Sequence, residues 1–212
     1  MTTNRHPTSP LPPRAVVAIL RAPTAQHFIA ASSVLWDAGI RCFEFTLTSD
    51  GALEAVSAFR ERKPEAILGV GTVRTVQHLA AAQDAGAAFA VSQVFLPRLV
   101  DRARELRLPF VPGALSPTEI VTAWESGVSL VKVSPIGPLG GVSYLNELRG
   151  PLPDIAMMPT GGVTLDAAGD YLAAGAAAVG VSGAVFGNAL LTGDLTGLAD
   201  RASHLTQLLA VV

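Results

Sequence analysis

The chain has 212 residues, half of them apolar and 15% charged, with a net charge of −2, the make-up of one large soluble domain with ample core material. The arginines are scattered and the balance is slightly acidic, which excludes a basic nucleic-acid footprint and favours a small-molecule partner. No apolar run nears the roughly 18 residues of a membrane span, and the single cysteine, Cys42, rules out an internal disulfide and fits a reducing cytoplasm.

Met1–Arg14 holds Arg5 and four prolines, Pro7, Pro10, Pro12 and Pro13, but no apolar stretch of signal-peptide type. It is expected to be a flexible tail ahead of a domain spanning 15–212. Short apolar or β-branched runs then recur at Ala15–Leu20, Arg41–Leu47, Ala66–Val70, Ala88–Val91, Pro109–Val111, Leu130–Val133, Ile155–Met158 and Ala178–Val181, roughly every 20 to 26 residues. Each is followed by a helical segment, the first from about Thr24 to Ala38, and Gly39, Gly86, Gly127 and Gly175 stand where helices end. Eight alternating units in this length predict a (β/α)8 TIM barrel. The competing doubly wound sheet lacks its fingerprint: Gly69-Val-Gly71-Thr-Val-Arg74 has two glycines and no third.

In a barrel, chemistry sits where strands end and loops begin. The first run ends in Arg21, a natural bidentate partner for a carboxylate, or a salt-bridge partner for a loop acid. In the second run, the two-residue period puts Cys42, Glu44, Thr46 and Thr48 on one face and Phe43, Phe45 and Leu47 on the other, so Glu44 is expected to point inward. The third run ends at Thr72, the fourth at Ser92-Gln93 and the fifth at Pro112-Gly113.

The sixth run places Lys132 in the middle of a buried strand. The chain's other lysine, Lys63, lies in the solvated stretch Arg-Glu-Arg-Lys-Pro. Burying an ammonium is costly unless it is paired, and a buried amine that gives up its proton becomes a nucleophile for carbonyls. An inward amine and an inward carboxylate have the same sequence appearance as a structural ion pair or as a Schiff-base pair in which the acid moves protons.

After the seventh and eighth runs come Met158-Pro-Thr-Gly-Gly-Val163 and Gly180-Val-Ser-Gly-Ala-Val-Phe186, two small-residue loops that open helices. Loops at these places in barrels commonly hold phosphate on backbone N–H groups, where a side chain would block the oxyanion. Gly140-Gly141 could add donors. His6, His27, His78 and His204 fall in the tail or in helical segments, and no His/Asp/Cys cluster has ligand spacing, so neither metal nor cofactor is expected.

In order and spacing, Ala-Ile-Leu-Arg21, Phe-Glu44-Phe-Thr-Leu, Gly-Val-Gly-Thr72-Val, Pro112-Gly, Val-Lys132-Val-Ser-Pro, Gly140-Gly141-Val, Pro-Thr160-Gly-Gly162-Val and Gly-Val-Ser182-Gly resemble one family. It is the small class I aldolases that cleave 2-keto-3-deoxy-6-phosphogluconate, its galactonate epimer or 4-hydroxy-2-oxoglutarate, and the similarity covers Arg14 to about Leu190. The resemblance implies that Lys132 forms the Schiff base and Glu44 is the general acid/base. It also implies pyruvate binding by Thr72, phosphate binding by Thr160, Gly161, Gly162, Ser182 and Gly183, and a cytoplasmic homotrimer.

Three positions depart from the family pattern. Thr48 stands where the phosphogluconate branch carries a carboxylate-binding arginine, a role for which Arg21 is the candidate; Gln93 replaces a proline, and Ser134 replaces an aromatic residue. The expected reaction is retro-aldol cleavage of a 2-keto-3-deoxy (phospho)sugar acid, or of 4-hydroxy-2-oxoglutarate, to pyruvate and an aldehyde. The competing readings are a phosphate-binding barrel of another class, either a thiamin-phosphate synthase-like transferase or a sugar-phosphate epimerase, and a non-catalytic metabolite-binding barrel. An adduct of Lys132 with pyruvate separates the aldolase from all of these.

Overall fold

A computed structural model describes residues 6–210. Its strands are β1 (Ala15–Leu20), β2 (Cys42–Thr46), β3 (Ile67–Gly71), β4 (Phe89–Val91), β5 (Phe110–Val111), β6 (Gly113–Ala114), β7 (Val131–Val133), β8 (Met157–Pro159) and β9 (Ala178–Val181). All pairings are parallel, in the orders β5-β4-β3-β2-β1-β9 and β6-β7-β8. The two sets are one closed ring. A bridge between Thr160 and Gly180 and the hydrogen bond from Ala177 N to Met157 O, at 2.9 Å, join β8 to β9. On the other side, β5 and β6 are two halves of one stave interrupted at Pro112.

That interruption has a simple cause. Proline has no N–H to give to a ladder, so the stave pairs with β4 up to Val111, and beyond it the Pro112 carbonyl accepts from Lys132 N at 2.9 Å while β6 pairs with β7. The staves therefore number eight, and the expected (β/α)8 barrel is the fold. Helices α1 (Phe28–Asp37), α2 (Ala52–Arg62), α3 (Val76–Asp84), α4 (Pro97–Glu105), α5 (Pro117–Glu125), α6 (Val142–Arg149) and α7 (Leu165–Ala173) follow the staves in turn. After β9 come the short α8 (Gly183–Phe186) and α9 (Ala189–Thr192), then α10 (Leu198–Ala210). Helix α1 begins later than the pattern predicts because Thr24 and Ala25 are used in the loop, where Ala25 N donates to Asp50 O at 2.8 Å.

Two apolar clusters result from the strand period. The larger lies between staves and helices and includes Phe43 and Phe45, packed edge-on against Phe59 and Phe28 at 5.4 and 5.3 Å between ring centroids. The smaller fills the barrel with Val17, Ile19, Cys42, Phe89, Leu130 and Met158. Phe89 fits inside because Gly69 on the neighbouring stave has no Cβ; a methyl there would collide with its ring. Gly71, two residues on and hence on the same face, plays the same part for Glu44.

Of the stretch expected to be a tail, Met1–Arg5 lie outside the described residues, and from His6 onward the chain makes contacts with the barrel. The His6 ring stacks on Trp124 at 3.8 Å and its Nδ1 lies 2.8 Å from Val128 O. Arg14 N donates to Ala177 O, and Leu11, 4% exposed, closes the lower end of the interior cluster. The prolines that made this stretch read as a tail also lower the entropy lost on ordering it, and Leu11 supplies the burial that holds it. Leu11→Ala is expected to lower unfolding stability by about 2–3 kcal/mol, seen as a lower urea midpoint at unchanged slope; an unchanged midpoint would mean that the strap carries no load.

Candidate active site

Lys132 and Glu44 meet across the barrel. Both are inward by the strand period, Lys132 above Leu130 and Glu44 above Cys42, and both are buried, at 3% and 0% exposure. Lys132 Nζ donates to Glu44 Oε1 at 3.4 Å. Glu44 Oε2 is buried and has no hydrogen-bond partner among the described residues. A buried carboxylate oxygen left unpaired is costly and therefore marks a position that structure alone does not account for. The carboxyl sits directly over Gly71, where any Cβ would strike Oε1. Cys42, one layer below, is no competing nucleophile: burial pushes its thiol up to about 11.

Above the pair opens a cavity of about 470 Å³, lined among others by Arg21, Lys132, Thr160, Gly161, Ser182 and Gly183. Gly162 lines it too, so seven of the nine residues singled out from the sequence line one cavity, Glu44 joins them through Lys132, and Thr72 joins them through Arg21. Arg21 Nη2 donates to Thr72 Oγ1 at 3.3 Å. Thr72 holds φ +61°, a left-handed conformation that a β-branched residue adopts only at a cost, so the mouth carries backbone strain.

Sequence reasoning missed how Arg21 is held. Its two neighbours are both pinned by side chains of the next stave and loop: Thr46 Oγ1 donates to Leu20 O at 2.9 Å, and Ser49 Oγ accepts from Ala22 N at 3.1 Å. Thr48, the position with no arginine, donates to Thr46 Oγ1 at 3.2 Å. Arg21 lines this cavity together with Lys132, and Thr48 is not part of its lining.

Another part of the cavity lining is largely glycine backbone. Gly161 and Gly162 have φ +85° and +75°, and Gly137 packs against them so closely that a Cβ on Gly137 would lie 2.8 Å from Gly162 Cα. Gly137 N and Ile136 N donate to the Gly161 and Thr160 carbonyls at 2.9 and 3.0 Å and Thr160 N donates to Val133 O at 3.0 Å, whereas the Gly161 and Gly162 N–H groups have no hydrogen-bond acceptor among the described residues. Thr160 sits beside Gly180, where a Cβ would be 2.6 Å from its Oγ1, and Ser182 Oγ donates to Ile19 O at 2.8 Å. A glycine in mid-strand, as at Gly180, was the signal for this close approach. Among the described residues no group of three or more His, Cys, Asp or Glu side chains could hold a metal, and no helix is long and apolar enough to cross a membrane.

Comparison with known proteins agrees with this geometry. The KDPG and KHG aldolase family profile matches residues 9–198. A 2-dehydro-3-deoxy-phosphogluconate aldolase of Treponema pallidum is 33% identical over 93% of this chain and 94% of its own. A KHG/KDPG aldolase of Escherichia coli is 34% identical over 88% of this chain and 90% of its own. Among solved structures, one described as native KDPGal superposes with a TM-score of 0.83 at 25% identity, covering 98% of both chains.

Gly71→Ala is expected to force the Glu44 carboxyl off the amine, with the Nζ to Oε1 separation beyond about 4 Å in a crystal structure of the variant. The same separation as in the parent would show that the glycine is not what seats the acid.

Proposed function

Because the chain belongs to the KDPG and KHG aldolase family, and is therefore a carbon–carbon lyase, we propose that it cleaves its substrate through a Schiff base on Lys132. The substrate class is a 2-keto-3-deoxy(-6-phospho) sugar acid or 4-hydroxy-2-oxoglutarate, and the products are pyruvate and an aldehyde. The observation that carries the reading is the buried pair itself, Nζ 3.4 Å from Glu44 Oε1 with Oε2 unspent.

In this reading the neutral amine attacks the C2 carbonyl, the carbinolamine loses water, and a protonated imine remains as an electron sink. Glu44, directly or through a water, takes the proton of the C4 hydroxyl. The C3–C4 bond then breaks, its electrons pass to the imine to give an enamine, and the aldehyde leaves. Glu44 returns the proton to C3 of the enamine, and hydrolysis releases pyruvate and the free amine. Closure by the apolar cluster below keeps bulk water from the amine while the mouth stays open to substrate.

Arg21 and Thr72 are assigned to the substrate carboxylate, for which a guanidinium with a hydroxyl already aligned on it is a suitable cradle. Gly161, Gly162, Ser182 and Gly183, with Thr160 at their base, are assigned to a distal phosphate, supported by their place in the cavity lining and by the unspent backbone N–H groups of Gly161 and Gly162. The family resemblance further supports a homotrimer acting in the cytoplasm.

Exchange of pyruvate methyl protons in deuterated buffer tests the two central roles, because it needs enamine formation and no aldehyde. The parent protein is expected to exchange them, Lys132→Ala to abolish exchange, and Glu44→Gln to slow it by about 10²-fold or more. A transferase, an epimerase or a binding protein would leave the methyl protons in place.

A further inference from the structure

The cavity wall facing the Arg21 side of the amine is a hydrogen-bonded pair that the reaction scheme does not use. Ser134 lies two residues beyond Lys132 on the same stave, so its side chain falls on the same face one layer nearer the mouth. Gln93, at the end of β4, reaches across to it: Nε2 lies 3.1 Å from Ser134 Oγ and 3.3 Å from Ser134 O. A backbone carbonyl can only accept, so the second contact fixes which end of the amide is the NH2 group. That leaves Gln93 Oε1 as an acceptor that makes no hydrogen bond among the described residues, on a side chain that lines the cavity.

The pair also stands at a definite place along any substrate bound through Lys132. On the far side of Ser134, a methyl placed on Gly161 would lie 3.4 Å from Ser134 Oγ, so the serine hydroxyl is wedged between the Gln93 amide and the first glycine of the anion loop. A chain whose C2 is on Nζ and whose far end reaches Gly161 and Gly162 must pass this wall with the carbons beyond C4. The same two residues form the partition to a neighbouring groove of about 270 Å³ that holds Val94, Leu115, Thr118 and Glu119, so the wall is one side chain thick. The Glu119 carboxylate there, held below the usual carboxylate range by backbone N–H groups of Ser116 and Leu115, makes the groove unfit for a phosphate.

We infer that Gln93 and Ser134 are specificity-determining residues that read hydroxyl groups on the aldehyde half, so that the substrate is a polyhydroxylated 2-keto-3-deoxy sugar acid rather than 4-hydroxy-2-oxoglutarate. The inference rests on the lyase reading proposed above. Gln93 Oε1 can accept from the O–H of a hydroxyl just beyond C4, and Ser134 Oγ, which accepts from Gln93 Nε2, keeps its own hydrogen to donate to that hydroxyl's oxygen. The carboxylate that 4-hydroxy-2-oxoglutarate carries at that place offers no proton to Gln93 Oε1. A wall built to hydrogen-bond a hydroxyl discriminates against the ligand that lacks it, because its own polar groups then go unpaired.

The test compares cleavage of 2-keto-3-deoxygluconate, its 6-phosphate and 4-hydroxy-2-oxoglutarate by the parent, Gln93→Ala and Ser134→Ala proteins, each by kcat/KM. The parent is expected to prefer the sugar acids. Each substitution should lower kcat/KM for them by about 10- to 100-fold, and should lower that for 4-hydroxy-2-oxoglutarate by clearly less, shrinking the ratio. A ratio unchanged in both variants, whether both activities hold or both fall together, overturns the inference. So does a parent protein that prefers 4-hydroxy-2-oxoglutarate. Pyruvate proton exchange by the parent separates the two levels: with exchange present and the ratio fixed, only this assignment fails, and with exchange absent the lyase chemistry itself fails.

Discussion

One charge pair places the strongest demand on this molecule. Moving an ammonium and a carboxylate out of water costs several kcal/mol for each, and their attraction repays that only when the geometry is good and the leftover polar atoms are satisfied. Here the contact between Lys132 and Glu44 is long and one carboxylate oxygen has no partner. Such a pair is a poor investment in stability, and the remainder of the fold is arranged to tolerate it. Closed pairing around the barrel leaves no sheet edge through which the interior could open. Glycine at 71 makes room for the acid, and aromatic packing on the outer face of β2 anchors the strand that carries it.

The mouth above the pair divides into three kinds of surface. A cation at Arg21 is held by the pinned residues on either side of it, unspent backbone N–H groups stand at Gly161 and Gly162, and neutral polar side chains stand at Gln93 and Ser134. The surfaces suit, in turn, a carboxylate, a phosphate and hydroxyl groups. The strained backbone of Thr72 belongs to this arrangement as well, since its hydroxyl is what Arg21 holds.

Much of this could be read from the chain itself. Eight apolar runs at even spacing gave the barrel, and an isolated lysine among β-formers pointed to the buried amine that lines the cavity, because both depend on local composition and period. What escaped was set by contacts distant in sequence. The stave broken at Pro112 changes partners only because two different neighbours flank it. Gly69 and Gly71 read only as an incomplete dinucleotide fingerprint, yet their role is to leave space for Phe89 and Glu44, which lie on other staves. The proline-rich start read as a tail because nothing local reveals that Leu11 meets the open end of a barrel. Gln93 and Ser134 were visible as departures from a family pattern, but their hydrogen bond spans 41 residues of sequence and appears only once the staves are neighbours.

The central claim is that Lys132, and not some other amine, carries the chemistry. The chain's two lysines make this unusually direct to test, since Lys63 lies at the surface beside Asp37 and over the Trp36 ring. Borohydride reduction in the presence of pyruvate, followed by peptide mapping, should place a single reduced adduct on the peptide containing Lys132. An adduct on Lys63 or the N-terminal amine alone, or no adduct, would contradict the account.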